Sequence, residues 1–193
     1  ECPICQEAHG TVPHHRLRKQ HEIGVLHVDL AKVTELGVGG FRYFIAAAYR
    51  LRTPIGKDII LPWFIPLKTK TARELAYHLE KLVTLIDNSP WTRSHEGNRV
   101  TRVHSDQGKE FYNERVKAFL NLHKIHPTYS PAHQPQSNGL SERMVGLGKD
   151  LLRRAHTASK IPEQYWPITI QHIAQHLRFR ALELDHLYGL PVG

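Results

Sequence analysis

The 193-residue chain is poor in sulfur, with two cysteines and one methionine, so no disulfide framework can hold it together. It lacks any run near the ~18 uninterrupted apolar residues of a membrane span. It also lacks a basic-then-apolar leader, so no signal peptide is expected in this piece. Acidic residues are in deficit, 18 against 26 Lys plus Arg, which leaves a formal charge of +8. A basic balance points to a polyanionic partner, nucleic acid ahead of an acidic membrane face, without deciding between them. Glu1 is not a start methionine, and the chain reads as a fragment of something longer.

What is present is an ordinary globular composition, 40% apolar and 23% charged, with 15 histidines that would add positive charge on acidification. Residues 1–20 are short of large apolar side chains and read as a linker or the remnant of a metal module, leaving 21–193 as one domain. Ile23 to Leu30, Phe41 to Tyr49 and Ile59 to Ile65 read as three strands joined by short Gly- or Pro-bearing turns, an antiparallel meander. Pro62 argues for an edge position or a bulge. Gly37 to Gly40 is a hairpin turn and not a phosphate loop, because no Gly-Lys-Ser/Thr follows. Leu75, Leu79, Leu82, Val83 and Ile86 then recur at helical spacing, with Thr71 as N-cap and Glu74 three residues on. Residues 91–99 read as a polar loop. Val100 to His104 and Ile125 to Tyr129 read as short strands, Phe111 to Leu122 as a helix and Ser130 to Gly139 as a surface loop. Helices are expected over about 140–158 and 162–187. The order β-β-β-α-β-α-β-α-α implies an α/β domain, a mixed five-stranded sheet with flanking helices.

Three acids sit in unusual contexts. Asp29 lies near the end of the first strand, between Val28 and Leu30. Asp106 follows the fourth strand at once, and Gly108 there permits a tight strand-to-helix turn. Glu142 falls in the first turn of the long helix. At about 100° per residue, Glu142, Gly146, Lys149 and Arg153 share one face of that helix, while Met144, Val145, Leu147, Leu151, Leu152 and Ala155 share the other. One helix thus buries an apolar stripe and aims a carboxylate and two cations at solvent. Each acid taken singly is equally open to reading as a turn-former or a helix-dipole partner.

The segments Val103-His-Ser-Asp-Gln-Gly-Lys-Glu-Phe111 and Tyr129-Ser-Pro-Ala-His-Gln-Pro-Gln-Ser-Asn-Gly-Leu-Ser-Glu142 together resemble the catalytic core of retroviral and retrotransposon integrases. The 35 residues between Asp106 and Glu142 match that family's Asp…Asp-x35-Glu signature, and His27-Val-Asp-Leu30 resembles its first-aspartate strand. Ile161-Pro-Glu-Gln-Tyr-Trp166 is similar to the Leu-Pro-x-x-Phe-Trp element of copia-like retroelements. The resemblance implies a ribonuclease H-like fold and a polynucleotidyl transferase that trims element DNA ends and joins them to target DNA. Asp29, Asp106 and Glu142 would then hold two Mg²⁺ or Mn²⁺ ions, Asp29 bridging both, a use that suits hard cations and carboxylate oxygens. Gln136, Asn138 and Lys149 match family positions that contact DNA, and Arg153 follows on the Lys149 face as a further DNA-binding candidate. A solvated basic face is the alternative for both cations, more so for Arg153. Cys2 and Cys5 form half of a zinc site. They close a His-His-Cys-Cys module whose histidines lie upstream, join His9 and His14 in a local site, or stay unliganded thiols. The implied partners are DNA and further copies of the chain, with no membrane, in a host nucleus or a virus-like particle. Two alternatives stay open: a domesticated DNA-binding module that has lost the chemistry, and a nuclease that only hydrolyses.

Overall fold

The structure, a computed structural model, describes residues 22–186 apart from 54, 94–95, 107–109, 112 and 131–138. Five strands form one sheet in the order β3-β2-β1-β4-β5: β1 (Val25–Gly37), β2 (Phe41–Arg52), β3 (Asp58–Leu67), β4 (Arg102–Ser105) and β5 (His126–Tyr129). The first three pair antiparallel, while β1 with β4 and β4 with β5 pair parallel. The expected mixed sheet is therefore present. β3, which carries Pro62 and Pro66, is an edge strand, the position that tolerates a residue without an N–H.

The helices are α1 (Ala72–Asp87), α2 (Pro90–Arg93), α3 (Glu114–Leu122), α4 (Gly139–Ser159) and α5 (Trp166–His186). Thr71 caps α1 by accepting from the Glu74 N–H, as its sequence suggests. Glu74 itself accepts instead from the Lys68 and Thr69 N–H groups at 2.8 Å, which ties the end of β3 to the start of α1. Residues 91–99 are expected as a polar loop, but the described ones are largely helical. They form α2 and a 3-10 turn over Glu96–Asn98. The reason is Asn98, fully buried. Its side chain donates to the carbonyls of Arg52 and Trp91 and accepts from the Arg52 N–H, while its own carbonyl accepts from the Tyr49 hydroxyl.

Alternation along the strands separates two apolar layers. Leu26, Val28, Ile45, Ala47 and Tyr49 meet α1 and α3 on one face. Ala31, Phe44, Ala46, Ala48 and Phe64 meet α4 and α5 on the other. α4 buries Leu140, Met144, Gly148 and Leu152, the stripe opposite Glu142. A Cβ on Gly148 would stand 3.1 Å from the Phe64 ring, so glycine there lets the helix lie close to the sheet. Trp166 starts α5, buried against Phe44, and its indole N–H donates to the Glu35 carbonyl at 3.0 Å. Gly37 lies beneath it, where a Cβ would clash with Pro167 at 2.4 Å. Among the described residues no helix is long and apolar enough to cross a membrane.

Candidate active site

β1 is longer than its apolar run suggests, 13 residues instead of eight, so Asp29 sits within a strand and not at its end. What ends there is the neighbour. β4 pairs with β1 only from Val25 to His27, with His27 opposite His104. Asp29 lies two residues beyond His27 on β1, and Asp106 two beyond His104, one past the end of β4, which puts the Asp106 charge within reach of the Asp29 carboxyl. Asp29 is on the α4 face, since Ala31, two residues beyond it, packs in the α4–α5 layer and side chains along a strand alternate with period two. Glu142, exposed in the first turn of α4, approaches from above.

The electrostatics follow from this placement. The Asp29 carboxyl is half-buried, and burial raises its pKa above the ordinary aspartate value. The Leu30 N–H, which donates to Oδ1 at 2.7 Å, opposes the rise. Asp106 and Glu142 add to it as like charges, and Lys149 offsets part. The fold thus brings the charges of Asp106, Glu142 and Lys149, all named from sequence, to bear on Asp29. Such carboxylates resist sharing a site in the ionised state unless a cation joins them.

Among the described residues no group of three or more His, Cys, Asp or Glu side chains is gathered tightly enough to hold a metal ion as it stands. Mg²⁺ is commonly held by one or two carboxylates plus water and substrate phosphate, not by an all-protein cage, so the donor chemistry still fits a hard dication. Cys2, Cys5, His9 and His14 lie outside the described residues, as do Gln136 and Asn138.

Lys149 is exposed on the Glu142 face of α4, as its angle implies. Arg153 is exposed too, but donates to Asp150 at 2.6 Å, so its charge is partly spent within the helix. Both line a cleft of about 250 Å³ between α4 and the far half of β1. Lys32 joins them there, a residue that sequence reading does not single out because the apolar run of β1 stops at Leu30. A larger cavity of about 1080 Å³, lined by Trp63, Trp91 and Arg178 among others, holds none of the three acids.

Beneath the aspartates lies a polar layer. The His104 ring contacts Thr128 Oγ1 through Nδ1 at 2.9 Å and Ser130 Oγ through Nε2 at 3.1 Å. The His27 ring stands edge-on to it at 5.3 Å.

No protein-family model matches the chain. Two curated relatives from Arabidopsis thaliana, the retrovirus-related Pol polyproteins from transposons RE2 and RE1, are each 34% identical over 109 residues. The match spans 54% of this chain and 6% of each relative. Among solved structures, the intasome of simian T-cell lymphotropic virus in complex with the PP2A regulatory subunit B56 gamma superposes with a TM-score of 0.56 at 16% identity. That superposition covers 88% of this chain and 57% of the other. The chain resembles a retroelement integrase core. Its mixed five-stranded sheet with flanking helices is the ribonuclease H-like architecture of such cores, and its sequence likeness is to retrotransposon polyproteins.

Proposed function

We propose that this chain is the catalytic core of a retroelement integrase, a polynucleotidyl transferase that trims element DNA ends and joins them to target DNA. The observation that carries the reading is that the charges of Asp106, Glu142 and Lys149, which come from separate elements, all act on the Asp29 carboxyl. In this reading the three carboxylates hold divalent cations, Mg²⁺ or Mn²⁺. When bound, such cations would activate an attacking oxygen and neutralise a leaving one.

The chain's own residues do the rest. Asp29 is set by the sheet register and by the Leu30 N–H, and its raised pKa reflects a site that favours a neutralising partner over a bare anion. Lys149 and, where its pairing with Asp150 allows, Arg153 offer cations to backbone phosphates, with Lys32 across the cleft. In this reading none of these side chains serves as the nucleophile, since the carboxylates would hold cations and the lysines would meet phosphates. That role falls to water in trimming and to a DNA 3′-hydroxyl in joining. The same reading has the chain acting as an oligomer on DNA, within a nucleus or a virus-like particle.

The test is Mg²⁺- or Mn²⁺-dependent joining of a labelled DNA end to a plasmid. Joining supports the integrase reading. Cutting without joining would assign a hydrolytic nuclease, and binding without either would assign a DNA-binding module.

A further inference from the structure

The polar layer under the acids has a direction. Thr128 Oγ1 donates to the Val103 carbonyl at 3.4 Å. Having one proton, that hydroxyl meets the His104 ring as an acceptor, so Nδ1 carries the imidazole proton. In the neutral ring Nε2 is then an acceptor and takes the Ser130 hydroxyl proton. This orders the contacts as a chain of donation from Ser130 to His104 to Thr128 to the Val103 carbonyl.

Its place gives it a use. β4 and β5 are four residues each, and among the described residues the last bond between their backbones is the Ser130 N–H donating to the Ser105 carbonyl at 2.9 Å. Asp106 is the next residue, beyond the reach of the ladder. His104 lies two residues before it, braced against His27 on β1, itself two residues before Asp29. One imidazole therefore ties β1, β4 and β5 together directly beneath the two aspartates.

We propose that His104 is a positioning residue for the site, holding Asp106 within reach of Asp29 through its bonds to Thr128 and Ser130. This rests on the integrase reading for its consequence but not for its geometry. A carboxylate displaced by an ångström costs about 100-fold in rate, while binding of DNA elsewhere on the chain is unaffected.

Two measurements test it. ¹⁵N imidazole shifts of the whole chain should show His104 as the Nδ1–H tautomer, and Ser130→Ala should shift that balance toward Nε2–H. A wild-type ring in the Nε2–H form overturns the relay. In the joining assay, His104→Phe keeps a ring against His27 but removes both bonds. It should lower kcat about 10- to 100-fold with KM for DNA within twofold and the melting temperature within a few degrees. His104→Gln, which restores one donor and one acceptor, should recover part of the loss. An unchanged kcat, or a loss confined to KM, overturns the positioning role. Should the wild-type chain join no DNA, the integrase reading fails, and the tautomer measurement still decides the relay.

Discussion

The two sides of the sheet are built on different terms. β1, β2 and β3 run to 13, 12 and 10 residues in long antiparallel register, and Phe44 to Tyr49 are without exception inaccessible to solvent. β4 and β5 have four residues each, and their side chains include His104, Thr128 and His126 where the other side has Ile, Ala and Leu. The long side obtains its rigidity from burial, which needs no particular chemistry, only volume and alternation. The short side stops early, and among the described residues no strand pairs with β1 beyond His27 on that side, which leaves a gap in the ladder near Asp29. A site needs such an opening, and the meander is what allows the fold to tolerate it.

The sharpest way to break the comparison is one substitution on each side. Asp106→Asn should abolish metal-dependent joining, a fall of roughly 1000-fold or more, with the melting temperature within a few degrees of wild type. Leu79→Ala, in the fully buried face of α1, should lower stability by about 2–5 kcal/mol, while molecules that remain folded keep their turnover. Urea melts and single-turnover joining, run on both variants, decide it. Equal effects of both on both readouts would mean that scaffold and site are not separable.

The Asn98 segment sharpens the same contrast from the scaffold side. Asn98→Ala strands the Arg52 N–H and the carbonyls of Arg52 and Trp91, so a loss of about 2–4 kcal/mol is expected in a urea melt. Asn98 also shows where sequence reading runs out. Its partners are 46 residues away at Arg52 and 49 away at Tyr49, and nothing in its neighbours Gly97 and Arg99 distinguishes it from a loop asparagine. The far half of β1 escapes for a related reason: after the register shift beyond Lys32 the strand is exposed and loses its alternation. By contrast, α4 is legible in its pattern, because a helix that buries Met144, Gly148 and Leu152 must turn Glu142 and Lys149 outward. The acids can be named from their contexts and spacing. That Asp106 comes close enough to act on Asp29 cannot, since it depends on the pairing of His27 with His104.

The basic cleft offers a smaller and more specific effect. Lys149→Glu should weaken binding to DNA ends several-fold and flatten the dependence of log K on log salt by about one unit for each phosphate no longer neutralised, with no change in the urea melt. Arg153→Ala should do less, because Asp150 already holds that guanidinium. Fluorescence anisotropy over a salt series measures both. Equal losses from the two would place the phosphate track further along α4 than the Glu142 face suggests.

The smallest effect runs against intuition, since removing a charge from the site should stabilise the protein. Burial first, and then Asp106 and Glu142, raise the Asp29 pKa in the folded state. The native protein therefore holds that proton more tightly than the unfolded chain does, so Asp29 contributes stability below its unfolded value of about 3.9, and this is lost as pH rises through the raised native value. At neutral pH the ionised carboxylate is a net cost. Asp29→Asn should accordingly raise the melting temperature by a degree or two at pH 7 and by nothing once the pH falls below the unfolded value. A divalent cation should act in the same direction on the wild-type chain by binding the native state alone, and far less on the variant. If Mg²⁺ stabilises both proteins equally, the cation is not held by Asp29. If Asp29→Asn destabilises at neutral pH, the carboxylate is tied into the fold by more than its bond to Leu30, and the short side of the sheet owes more to its charges than to its opening.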